Sequence, residues 1–192
     1  MTSRIEGGTR LTALERFQAL SQHRRQHSER VQAVMEELAT AHHLNLQEAR
    51  LAGWGHDLAR ELSRPQLLAE ARRLGLAWGA EEEGEPVLLH GPIAAEWLRL
   101  EHLGSDSVWT AIRCHTTGGP VLDALGQALF VADGVEPARS YSERESLYKL
   151  SLADLAQGYA AVLRQTLLYL NHRGLKPHPN MLQALAALGR PD

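Results

Sequence analysis

Apolar residues recur along this chain at intervals of three and four rather than two. Val31, Val34, Met35 and Leu38 form one such stripe, and Leu152, Leu155, Tyr159, Val162 and Leu163 form another. This spacing puts each set on one face of an α-helix, which turns once every ~3.6 residues, whereas a half-buried strand alternates with a period of two. The pattern predicts about eight helices, drawn from candidate spans 11–20, 27–42, 46–60, 65–74, 87–102, 107–115, 123–135, 143–150, 152–173 and 180–188. No segment carries a competing strand pattern. The punctuation agrees. Asn45 with Glu48 and Ser142 with Glu145 have capping-box spacing, Ser63-Arg64-Pro65 reads as a helix start, and Gly75, Gly104 and Gly174 stand where helices would stop. Gly79 to Glu85 reads as a loop and residues 1–10 as a flexible tail, which leaves 11–192 as a single domain. The expected fold is all-α, a compact helical bundle.

Composition narrows the setting. With 192 residues and 44% hydrophobic composition, the chain is long enough to bury a core. Its single cysteine, Cys114, cannot form an internal disulfide, so nothing asks for an oxidising compartment. The N-terminus lacks a charged and then apolar leader, and no apolar run approaches the roughly 18 residues that cross a bilayer. The expectation is a cytoplasmic chain with no membrane partner. Twenty basic against 23 acidic residues, a net charge of −3, argue against a nucleic-acid polymer as partner, so an anionic substrate has to be held locally.

Ten histidines stand out, because imidazole is the commonest metal ligand. The adjacent pair His56-Asp57 falls near the end of a predicted helix, where both side chains can turn toward one metal. By itself such a dipeptide means little. Its weight comes from its company: His27, His90, His115 and Asp133 each fall on a different predicted helix, the way a bundle builds a polynuclear site from facing side chains. Nitrogen and oxygen ligands without thiolate suit iron, manganese or zinc rather than a structural zinc site of cysteines. Of the remaining histidines, His23, His42, His43, His102 and His172 carry no motif and are expected on solvated helix faces or ends, while His178, between Pro177 and Pro179, is expected in a loop. Trp97 shares a predicted stripe with Ile93 and Leu100 and reads as core; Trp54, two residues before His56, reads as a wall of the pocket.

The ordered segments His27-Ser28-Glu29-Arg30-Val31, His56-Asp57-Leu58-Ala59-Arg60, His90-Gly91-Pro92, His115-Thr116-Thr117-Gly118 and Asp133-Gly134-Val135-Glu136-Pro137-Ala138-Arg139, with Tyr169-Leu170 and His178-Pro179 later, carry a resemblance. Together they resemble the YqeK-type branch of the HD superfamily, the bacterial symmetrical bis(5'-nucleosyl)-tetraphosphatases. The resemblance implies a helical HD-domain bundle with a di-iron centre between facing helices, and cleavage of diadenosine tetraphosphate into two molecules of ADP. It further implies that His27, His56, Asp57 and Asp133 bind one metal, that His90 and His115 bind the second, and that Asp57 bridges them.

The chemistry fits independently. Two metals sharing a carboxylate acidify a water into hydroxide at neutral pH, orient a phosphate and offset charge on the leaving oxygen. Arg24, Arg60 and Arg139 are candidate phosphate clamps, and Thr116 and Thr117 candidate nucleotide contacts. The sequence departs from the branch at Gly53-Trp54-Gly55, where aliphatic residues are usual, and at Arg60, where lysine is usual. The implied partners are a dinucleoside polyphosphate and two metal ions, iron or alternatively manganese or another divalent cation; a homodimer is left open. Two other readings use the same residues. One is an HD phosphohydrolase for a deoxynucleotide, cyclic or alarmone nucleotide, for which His90 and His115 would be superfluous. The other is a non-catalytic nucleotide-sensing module, against which six intact ligands argue.

Overall fold

A computed structural model describes residues 11–188; the N-terminal segment 1–10 lies outside the described residues. Eleven α-helices and one 3₁₀ turn make up its regular structure, and no strand occurs among the described residues. In chain order they are α1 (Ala13–Ala19), α2 (Gln22–Ala41), α3 (Leu46–Gly55), α4 (Arg64–Arg73), α5 (Ala80–Gly84), the 3₁₀ turn Pro86–Leu89, α6 (His90–Leu100), α7 (Asp106–Cys114), α8 (Ala124–Val135), α9 (Arg144–Ala153), α10 (Leu155–His172) and α11 (Pro179–Leu188).

The longest helix starts before its apolar stripe does. Ser21 caps α2, its hydroxyl accepting from the Arg24 N–H, so the helix begins at Gln22 and His27 falls in its second turn rather than at its head. One face of α2 then buries His27, Val31, Val34, Met35 and Leu38. The span expected to continue to residue 60 ends at Gly55. From there the N–H groups of Leu58, Arg60 and Leu62 bond three residues back, to Gly55, Asp57 and Ala59, so the chain tightens into consecutive turns.

Other expectations shift for equally local reasons. Gly79 to Glu85 is not a plain loop but contains α5, whose start is satisfied by the Glu82 carboxylate accepting from the Gly79 N–H at 2.8 Å. The expected Ser142–Glu145 capping box does not form, because the Ser142 hydroxyl donates to Glu143 and α9 begins at Arg144. Asp154 caps α10, which separates Leu152 from the rest of its stripe. Asn45 does cap α3, accepting from Gln47 and Glu48, and Gly75 and Gly174, at φ 68° and 66°, close α4 and α10.

α8 lies at the centre, packed against α2, α7, α9 and α10, and its Leu129, Val131, Ala132 and Val135 are fully buried. α2 packs along α3, and α6 along α7. Two glycines set these spacings. A Cβ on Gly53 would lie 2.7 Å from the Gln32 Cα, and one on Gly91 would lie 2.7 Å from the Ile112 carbonyl oxygen. With neither present, α3 closes on α2 and the start of α6 closes on the end of α7. Those are the two approaches that converge the histidines. Trp97 is buried as expected, with its indole N–H on Glu70, but Leu100 is exposed. Trp54 stacks on Phe17 of α1, with ring centroids 4.9 Å apart, and is not a wall of the cavity described below.

Candidate metal centre

Six side chains distant in sequence meet at one point: His27 from α2, His56 and Asp57 from the turn after α3, His90 from the start of α6, His115 from the end of α7, and Asp133 from α8. His27, His56, Asp57, His90 and His115 are buried, and Asp133 is half-buried. Each ring is oriented from behind. The Nδ1 of His56, His90 and His115 lies 2.8, 2.5 and 2.7 Å from the carbonyl three residues earlier, on Gly53, Val87 and Ile112. The Nδ1 of His27 instead meets the Glu136 carboxylate at 3.3 Å.

A carbonyl or carboxylate can only accept, so each Nδ1 is satisfied by carrying the hydrogen, and in the neutral ring that leaves Nε2 as a lone pair. These lone pairs converge. His27 Nε2 lies 3.3 Å from His56 Nε2, and His90 Nε2 lies 3.0 Å from His115 Nε2. Two lone pairs cannot bond each other, and a cation between them would satisfy both. The acidic groups complete it. The Asp57 Oδ2 is 3.6 Å from both His27 and His56, while its Oδ1 is 3.1 Å from His90 and 3.8 Å from His115. Asp133 Oδ1 is 3.3 Å from His27. The triads His27–His56–Asp57, His56–His115–Asp133 and Asp57–His90–His115 could each hold a metal ion. The donor set fits such an ion, with imidazole nitrogens and carboxylate oxygens and no thiolate.

Electrostatics favour the ligating form of four of these groups, His56, His115, Asp57 and Asp133. Burial pushes the His115 imidazole down to about 3, helped by the neighbouring His90 and His56, and burial likewise lowers His56. For Asp57, burial would raise the carboxyl, but His56, His90 and His115 outweigh it and hold the group well below the usual carboxylate range. Asp133 is also held ionised: burial opposes this, and His27 and Arg139 override it.

Around the centre stands a ring of guanidinium groups. Arg24 Nη1 donates to Asp57 Oδ2 at 2.5 Å, Arg30 Nε donates to Glu136 at 2.6 Å, and Arg139 pairs with Asp133. Beside it opens a cavity of about 490 Å³, lined by His115, Thr116, Asp133, Arg139, Tyr141 and one face of α10. The Thr116 hydroxyl lies 3.1 Å from His115 Nε2, and Thr116 is among the residues that line this cavity. The Thr117 hydroxyl is buried and donates to the Gly118 carbonyl, and Arg60, half-buried in the turn after Asp57, is not among the cavity's lining residues.

Glu136 and Arg30 were not singled out by residue type, although both stand inside segments that carry the resemblance. The signal for Glu136 is a carboxylate three residues after Asp133, between a candidate ligand and the candidate clamp Arg139. Of the remaining histidines, His23, His43, His102 and His172 are exposed as expected, whereas His42 is half-buried with its Nε2 2.7 Å from the Ser151 carbonyl. His178 pairs with Glu82 at 3.2 Å and accepts from the Asn180 N–H at the start of α11.

The helical fold and this His/Asp cluster define a metal-binding hydrolase class, and the chain belongs to the HD-domain family: the family model matches residues 24–138, a span containing all six clustered residues. Its relatives narrow the class. A Halalkalibacterium halodurans protein named symmetrical bis(5'-nucleosyl)-tetraphosphatase is 30% identical over 169 residues, 85% of this chain and 87% of the relative. A Bacillus subtilis protein of the same name is 26% identical over 164 residues, 85% of this chain and 88% of the relative. The fold is similar to a Clostridium acetobutylicum crystal structure described as a predicted HD superfamily hydrolase involved in NAD metabolism. Its TM-score is 0.84 at 26% identity, covering 90% of this chain and 92% of that one. No helix among the described residues is long and apolar enough to cross a membrane.

Proposed function

We propose that this chain hydrolyses dinucleoside tetraphosphates symmetrically, diadenosine tetraphosphate to two molecules of ADP, at a centre of two metal ions. The carrying observation is the division of Asp57, whose Oδ2 faces His27 and His56 while its Oδ1 faces His90 and His115. One carboxylate shared by two imidazole pairs fits a bridge between two ions. His27, His56, Asp57 and Asp133 would hold the first ion, and His90, His115 and Asp57 the second, with iron or manganese suited to such ligands. When bound, the ions supply Lewis acidity and a water acidic enough to attack phosphorus at neutral pH.

The chain's own groups hold and screen the substrate. Arg139, exposed on the cavity rim beside Asp133, presents a planar fork to phosphate, and Arg24 places a second cation against Asp57. Arg60 offers a further guanidinium from the same turn as Asp57, and Thr116 a hydroxyl beside His115. The water oxygen bonds to the β-phosphorus of one half as the bond from that phosphorus to the central bridging oxygen breaks. The second ADP departs with that oxygen, its charge screened by the arginines. The names of the relatives from H. halodurans and B. subtilis support this substrate.

Chromatography of products is the direct test. ADP alone is expected with iron or manganese supplied; AMP plus ATP, or no turnover, overturns the symmetrical assignment. Elemental analysis should find about two transition-metal ions per chain. Asp57→Ala should lose both ions and activity while keeping most of its helical circular dichroism, and an active, metal-replete variant would refute the bridge.

A further inference from the structure

Val162, Gln165, Thr166 and Tyr169 are spaced three, four and seven residues from the first, so they share one face of α10. All four line the cavity whose other side is His115 and Asp133. Their polar groups are in different states. The Thr166 hydroxyl donates to the Val162 carbonyl at 2.9 Å. The Gln165 amide and the Tyr169 hydroxyl make no hydrogen bond among the described residues, and Tyr169 is 57% exposed although it stands one helical turn from a half-buried amide.

A helix face built only to pack would not leave a free amide and an open aromatic ring at positions i and i+4 on a cavity wall. The amide offers an N–H donor and a carbonyl acceptor side by side, the complement of an adenine edge with its N6 amino group and N7. The phenol ring one turn on offers a stacking surface at the height of that edge. Tyr141, whose hydroxyl is tied to the Gly134 carbonyl at 2.8 Å, keeps the opposite rim fixed. The cavity's size falls within the range of small-molecule sites.

We infer that this α10 face is a nucleoside subsite, in which Gln165 reads the amino edge of one adenine and Tyr169 stacks on its ring; the inference rests on the nucleotide reading above. Polyphosphate recognition and base recognition are thereby divided. The arginines and the centre hold any polyphosphate, and α10 decides which base accompanies it.

Calorimetric titration of the metal-loaded full-length protein tests this with three probes: ADP, purine riboside 5'-diphosphate, which lacks the amino group, and inorganic pyrophosphate. Wild type should bind ADP roughly tenfold more tightly than the purine riboside analogue. Gln165→Leu should abolish that preference. Tyr169→Ala should weaken ADP about tenfold or more while leaving pyrophosphate unchanged, with Tyr169→Phe close to wild type. Unchanged ADP affinity in Gln165→Leu and Tyr169→Ala overturns the subsite, as does an equal loss of pyrophosphate binding, which would mean damage to the centre. The outcomes separate the two readings. A protein that shows these contrasts but does not cleave diadenosine tetraphosphate loses the reaction and keeps the subsite; one that cleaves it but is indifferent to both substitutions loses the subsite alone.

Discussion

Four imidazoles face the same centre with the same nitrogen, and they differ in what stands behind them. His56, His90 and His115 have carbonyls on Nδ1, whereas His27 has the buried carboxylate of Glu136, itself held by Arg30 and the Ala138 N–H. A carboxylate partner raises the basicity of a ligating imidazole and fixes its orientation. Glu136→Gln is therefore expected to weaken the ion on the His27 side by roughly 10–100-fold and the other much less. Chelator competition checks this, and equal retention of both ions would contradict it. The metal-free protein should also be acid-labile. His115 is lowered by burial from 6.5 to about 3, so between those values the unfolded chain binds a proton that the folded chain refuses. That stability is present above the unfolded value and is lost as pH falls through the window; the lowered carboxyls of Asp57 and Asp133 act in the same direction at more acid pH. Thermal melts of metal-free protein from pH 7 to pH 4 should show a falling midpoint, with a shallower fall in His115→Gln.

The elements contribute their ends. His56 and His115 sit at the C-caps of α3 and α7, and His90 follows a 3₁₀ turn into α6, all places near helix ends where a carbonyl oxygen, even one that accepts a backbone N–H as those of Val87 and Ile112 do, keeps a lone pair for a second donor. An imidazole N–H takes that lone pair and is oriented by it. The helix spacing then decides whether the rings converge. Gly53→Ala would press a methyl group to 2.7 Å from the Gln32 Cα, so α3 must move off α2. The expected cost is about 1–3 kcal/mol, with weaker metal binding at the His27–His56 pair. Denaturant melts and metal titration read both, and Gly84→Ala, where a Cβ meets nothing within 4 Å, is the control expected to change neither. The Gly53-Trp54-Gly55 departure from the family pattern thus has a physical reading: Gly53 admits α2, a Cβ on Gly55 would lie 2.9 Å from the Leu98 Cδ1, and Trp54 packs outward onto Phe17.

Across the whole molecule, the centre ties together residues from His27 to Asp133, and removing an ion removes a cross-link between helices. An ion present at 100 times its dissociation constant stabilises the folded state by about 2.7 kcal/mol, and for a chain of this size each kcal/mol moves the midpoint by about 2–4 °C. Chelation is expected to lower the melting temperature by roughly 5–11 °C on that basis, read by scanning calorimetry with and without EDTA. If residues 11–192 form one domain, a single transition shifts; two transitions, only one of them metal-sensitive, would contradict it. The net charge of −3 gives no long-range attraction for a polyphosphate, so under the proposed reaction recognition would fall to Arg24, Arg139 and the centre.

How much of this was legible follows from the range of each interaction. Helical periodicity, the caps at Asn45 and Ser63 and the stops at Gly75 and Gly174 depend on neighbours within about one turn, so the sequence alone determined the helical class and most boundaries. The six clustered residues were legible through their motifs. The failures were places where two local partners competed, as at Ser142, or where a turn was tightened by bonds three residues back, as after Gly55. Tertiary structure decided what no spacing encodes: that each Asp57 oxygen faces its own histidine pair, that Glu136 reaches back to His27 across 109 positions, and that α10 supplies a cavity wall. Those contacts depend on how closely helices approach, and at Gly53 and Gly91 that approach is set by the side chain each residue lacks.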